Sequence, residues 1–137
     1  MNDCQNHNRT ILFAGHGPNV WWRVGWRLRQ KGWDVNRTDL PAMPSFTALS
    51  ELTTPAALLI EMGTSEPEIT LAMNFLNEFQ NIYPGLPVAA LVPRLLNHSR
   101  PAWAELGVGL VLDRATAPPL IADQLDRWLL PKIEPVE

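Results

Sequence analysis

Residues 11–19, ILFAGHGPN, and residues 55–63, PAALLIEMG, decide how this chain is read. Each is a short apolar run that stops at a small or acidic residue and leads into a turn. A third run, Val88 to Val92, has the same character. Longer stretches with helical spacing of apolar residues separate the runs. This alternation predicts an α/β domain, a parallel sheet covered by helices on both faces. Ligands of such a sheet sit beyond the carboxyl ends of its strands, so the residues just after each run carry the functional information. Here they are Gly15, His16, Glu61, Met62, Val92, Pro93, Asp113 and Arg114, a poor catalytic set.

Working outward, residues 1–9 read as a disordered leader, polar and without a hydrophobic face. Pro18 and Asn19 open a helix that runs to about Lys31 and stops at Gly32. Within it Trp21, Val24 and Leu28 fall at helical spacing and are expected to face the sheet. Trp33 to Thr38 predicts a short strand, Asp39 to Ser45 a loop broken by Pro41 and Pro44, and Phe46 to Leu52 about two helical turns. After the strand that ends near Met62, Glu66, Pro67 and Glu68 place acids at the positive end of a helix. Its buried stripe is Ile69, Ala72, Leu76 and Phe79. A helix around Pro101 to Leu106 closes at Gly107, a fifth strand spans Gly109 to Leu112, and a last helix starts at Pro118 and Pro119 and buries Ile121, Leu125, Trp128 and Leu129. The expected organisation is one (βα)5 domain over residues 10–131, with a short tail at 132–137.

Composition limits the function classes. The 137 residues suffice for one domain with its own core. The single cysteine, Cys4, has no partner for an internal disulfide, and a reducing cytoplasmic setting is expected. No apolar run approaches the roughly 20 residues of a membrane span, and MNDCQNHNR lacks the apolar core of a secretion signal. A formal charge of -3 with 11 scattered basic residues gives no electrostatic reason to expect nucleic acid. Arg23, Arg27 and Arg29 cluster, which a solvated helix face accounts for.

In order and spacing the segments resemble the receiver domain of two-component response regulators. ILFAGHGPN is similar to the first strand and turn, RLRQKGWDV to the end of the first helix and the second strand, and PAALLIEM to the third strand. LPVAALVP resembles the fourth strand, WAELGVGLVLDRA the fourth helix and fifth strand, and APPLIADQL the last helix. The resemblance covers about residues 10–130. It implies the flavodoxin-like fold with strand order 2-1-3-4-5.

It also implies a pocket whose chemistry is gone. In the family, two acids after the first strand hold magnesium together with the phosphoacceptor aspartate. Gly15 and His16 stand at the acid positions and offer no hard oxygen ligand from a side chain. Glu61 occupies the acceptor position, Val92 replaces a hydroxyl residue, and Arg114 replaces a lysine. The resemblance is thus to a degenerate pseudo-receiver, not an enzyme, with no metal and no cofactor. Its expected role is a phosphorylation-independent interaction module in signalling, acting through a protein partner or a second copy of itself. Because the chain ends at LLPKIEPVE, soon after the last helix, no output domain is expected.

Glu61 and Arg114 are expected either to pair, in imitation of an active receiver's ion pair, or to be solvated at an idle mouth. His16 beside Glu61 suggests a metal or general-base site, but no second histidine or cysteine has ligand spacing, and His98 reads as a surface histidine. Gly15 to Gly17 is too little for a phosphate-cradling loop. A flavodoxin-like small-molecule site near His16, Gly17 and Glu61 is the alternative function. A residual enzyme lacks a third orienting group.

Six tryptophans are the other unusual feature. Trp22 and Trp26 stand one turn apart beside the predicted buried stripe, either as interhelix packing that Trp128 closes over or as a binding surface. A second candidate surface carries Trp103, Asp113 and Arg127 on the fourth helix, fifth strand and last helix. Receivers commonly use that face for partners.

Overall fold

The computed structural model describes residues 9–16, 18–40, 55–93 and 100–133. The expected helix at 46–52, the leader through residue 8, the loop that carries His98 and the tail beyond residue 133 lie outside them, as do Gly17 and the side chain of Trp21. In chain order the elements are β1 (Thr10–Gly15), α1 (Pro18–Gln30), β2 (Asp34–Asp39), β3 (Ala57–Glu61), α2 (Glu66–Ile82), β4 (Val88–Val92), α3 (Arg100–Glu105), β5 (Leu110–Asp113) and α4 (Pro118–Ile133). The five strands are all parallel, in the order β2-β1-β3-β4-β5.

Alternation of side chains along each strand splits the core in two. Leu12, Ala14, Leu58, Ile60, Val88, Ala90 and Val92 point to one face, where Ala72, Phe75, Leu76 and Phe79 of α2 and Trp103 of α3 cover them. Ile11, Phe13, Leu59, Ala89, Leu91 and Leu112 point to the other, under Val24 and Leu28 of α1 and Ile121, Leu125 and Leu129 of α4. Apolar cover on both faces is why β3 and β4 are unbroken apolar runs up to their last residues. No helix among the described residues is long and apolar enough to cross a membrane.

Local signals set the helix ends. At the start of α2 the Ser65 hydroxyl accepts from the Glu68 N–H, and the Glu68 carboxylate accepts from the N–H groups of Thr64 and Ser65. This capping box satisfies donors that the first turn leaves free. Those bonds hold the Glu68 carboxyl below its ordinary range. After α1 the Gly32 N–H donates to Arg29 O, and the Trp33 N–H returns to Leu28 O. That geometry needs a left-handed residue, which Gly32 supplies with φ of 97°.

This C-terminal motif displaces the expected start of the second strand. Trp33 serves the end of α1, and β2 begins at Asp34. Trp33 is buried against the α1 and α4 cluster, and its Nε1–H donates to Asp126 of α4 at 2.8 Å. The Arg9 guanidinium stacks 4.6 Å from its ring and donates to the carbonyls of Lys31 and Gly32. Arg9, expected in the leader, is therefore tied to the domain. Ile69 is only half-buried, and Phe75 takes its place in the stripe of α2.

Asp123 of α4 holds α1 from outside the core, 3.1 Å from Lys31 Nζ and 3.3 Å from Arg27 Nε. Hydrogen bonds from Lys31 and then Arg27 keep its carboxyl below the usual range, against a desolvation that raises it. A depressed folded-state pKa adds stability above the unfolded value that is lost as pH falls through the folded one. Asp123→Asn should flatten the fall in Tm below about pH 4. A thermal-melt series in acid checks this, and parallel curves for the two proteins would contradict it.

The tryptophans separate by position. Trp33→Ala should cost roughly 3–5 kcal/mol in urea unfolding, as removal of a large buried aromatic does. Trp22→Ala and Trp26→Ala, whose side chains are 54% and 60% exposed, should each cost under about 1 kcal/mol. Equal losses at all three positions would place Trp22 and Trp26 in the core.

Candidate functional site

Parallel strands bring their last residues to one edge of the sheet. There β1 ends at Gly15, β3 at Glu61 and β4 at Val92, with Arg114 just past β5. The register aligns Glu61 with Leu91, and Val92 with Asp113. The central strand β3 thus ends in a carboxylate flanked by its neighbours' ends.

Glu61 is only 3% exposed. Oε2 lies 2.8 Å from Arg114 Nε, and Oε1 accepts from the His16 backbone N–H at 3.1 Å. Both oxygens are engaged, as a buried carboxylate requires. Arg114 is set by its own backbone, whose N–H donates to Val92 O at 2.8 Å, and its side chain stays 39% exposed. The turn after it is fixed by Asp113, whose Oδ1 accepts from the Ala115 N–H at 2.8 Å.

Gly15 is part of the same construction. A Cβ there would meet Phe13 Cε1 at 2.7 Å and Glu61 Oε1 at 3.0 Å. A side chain at position 15 would collide with the Phe13 ring and crowd the Glu61 carboxylate, so the glycine leaves room for both. Val92 is fully buried and contributes an aliphatic wall.

His16 is half-buried and meets Glu61 through its backbone, not its ring. The ring Nε2 is buried and has no hydrogen-bond partner among the described residues. Among the described residues no three His, Cys, Asp or Glu side chains gather into a metal-holding group. A hard divalent cation prefers several oxygen ligands. Here the Glu61 carboxylate is bound to Arg114, Asp39 at the end of β2 is paired with Arg37, and position 15 has no room for a further side chain. The donor set does not fit magnesium.

The two expected surfaces fare differently. Trp22 and Trp26 are exposed on α1 and line a groove of about 470 Å³ with Arg23, Arg27, Pro118 and Pro119. Trp128 does not line that groove; its ring lies against Gly109, just before β5, where a Cβ would meet it at 2.9 Å. Trp103, expected on the second surface, is 6% exposed and belongs to the core under α2 and α3. It is removed from that surface, and only Asp113, half-buried, and the exposed Arg127 remain of the set. The prolines that open α4 form the far wall of the Trp22 groove, a juxtaposition of residues far apart in the chain that periodicity within α1 does not reveal.

No protein-family model and no curated protein sequence matches this chain. Solved structures do match over nearly its whole length. A CheY-like response regulator receiver domain from Methanospirillum hungatei superposes with a TM-score of 0.67 at 12% identity, covering 89% of this chain and 94% of that one. A CheY-like protein (tadZ) from Pseudomonas aeruginosa gives 0.68 at 17% identity, covering 88% and 98%. An orphan response regulator from H. pylori gives 0.67 at 10% identity, covering 88% and 95%. At these identities the likeness is one of fold, and the fold is that of the CheY-like receiver domains.

Proposed function

We propose that this chain is a phosphorylation-independent pseudo-receiver, a protein-interaction module of signal transduction with no catalytic role. The observation that carries the reading is the full engagement of Glu61, one oxygen to Arg114 and the other to the His16 N–H, in the place where a receiver would present its acceptor. A carboxylate so held is a poor nucleophile toward a phosphoryl donor. Gly15 and His16 bring no carboxylate for the magnesium that such a transfer uses, and Val92 brings no hydroxyl. A protein partner follows from the receiver-like fold, and a cytoplasmic setting from the lone Cys4. Incubation with acetyl phosphate and magnesium, followed by intact-mass measurement, should give no phosphoryl adduct. A stoichiometric adduct would overturn the reading.

The ion pair is lopsided, because Glu61 is buried and Arg114 is partly in solvent. Removing the arginine strands a buried carboxylate with a single N–H, whereas neutralising the glutamate leaves a guanidinium that water can reach. Arg114→Ala should therefore lose roughly 1–3 kcal/mol, and Glu61→Gln less. In the double variant the arginine loss should shrink by about 1 kcal/mol or more, the signature of direct coupling. Urea unfolding of the four proteins measures it, and strict additivity would contradict the pair.

A further inference from the structure

The groove on α1 and α4 carries the two most exposed large hydrophobic side chains among the described residues. Trp22, Trp26, Arg23 and Arg27 line it from α1, and Pro118 and Pro119 from α4. Two large aromatic side chains left in water on one helix face are the kind of anchor that interfaces use. The charged residues of α1 itself have one sign. The sequence of α1, PNVWWRVGWRLRQ, has three arginines and no acid, on a chain whose formal charge is -3.

The nearby acids are already committed. Asp123 takes Arg27 and Lys31, and Asp126 takes the Trp33 indole. Arg23 is exposed and meets the Trp22 ring at 5.6 Å, and among the described residues it pairs with no carboxylate. The groove therefore presents apolar walls and an unneutralised guanidinium. We infer that it binds an acidic peptide segment of a partner protein, with one or two large apolar side chains between the tryptophan and proline walls and a carboxylate on Arg23.

Two other occupants fit less well. A second copy of this chain, docked by the same face, would bring Arg23 against Arg23 with no free acid on either wall. An anionic membrane meets a concave groove poorly, and one unpaired arginine gives it little electrostatic hold. The inference rests on the interaction-module reading and adds the face and the partner's chemistry.

The test is selection of a random twelve-residue peptide library, displayed on phage, against the full chain. The selected peptides are then synthesised and titrated against variants. The expected result is peptides with Asp or Glu flanking one or two large apolar residues. Trp26→Ala should weaken them roughly 30-fold or more, the scale of an interface hot spot. Arg23→Glu should weaken them about tenfold and recover when the peptide acid is changed to lysine.

The proposal is overturned by an empty selection, by peptides without acidic residues, or by peptides that bind the Trp26→Ala protein equally well. It is also overturned if phosphatidylserine vesicles or self-association, and not peptides, depend on Trp22 and Trp26. Peptides that bind elsewhere would end this assignment and leave the interaction-module reading standing. A phosphoryl adduct on Glu61 would end that reading and leave the groove untouched.

Discussion

A carboxylate buried at the end of the central strand organises the carboxyl edge of this sheet. Leaving such a charge unpaired in the interior is costly, so the surrounding structure has to answer it. Arg114 answers from the turn after β5 and the His16 backbone from the end of β1. The pair ties the end of β3 to the turn beyond β5, across the intervening end of β4, and the His16 bond ties it to β1. Gly15 is needed because a Cβ there would collide with the Phe13 ring and crowd the Glu61 carboxylate. The contacts on which the proposed phosphate-blind role rests are also those that tie the strand ends together.

The two helical layers have different tasks. Under α2 and α3 the packing is almost wholly apolar and absorbs even Trp103. Between α1 and α4 the core of Val24, Leu28, Ile121, Leu125 and Leu129 is bordered by polar ties, Asp123 to Arg27 and Lys31 and Asp126 to Trp33. These ties pair Arg27 and Lys31 with Asp123, while Arg23 on the outer face of α1 meets no carboxylate among the described residues. The same packing holds Pro118 and Pro119 opposite Trp22 and Trp26. Core, ion pairs and groove are parts of one arrangement of two helices.

The fold was legible in the sequence because its strands carry the pattern of burial on both faces. Val88 to Val92, set between Pro87 and Pro93, was placed to the residue. The second strand was misplaced by one residue because Trp33 looks like a strand residue while its N–H completes the end of α1. Trp103 was misread as a surface residue because α3 has six residues, too few for a periodicity to show which side is covered. The sheet-edge residues could be named from the resemblance, but the hold on Glu61 comes partly from a backbone N–H, which no residue type announces. The groove was half legible. Helical spacing joins Trp22 to Trp26, whereas the prolines reach it only through tertiary packing.

The most direct test of the sealed edge is the NMR resonance of the Arg114 Nε–H, followed as magnesium and beryllofluoride are added. A guanidinium held by a buried carboxylate should give a slowly exchanging signal that neither addition moves. A signal that exchanges with water, or that shifts and saturates as the mimic is added, would mean that Glu61 is released and the edge still takes an ion.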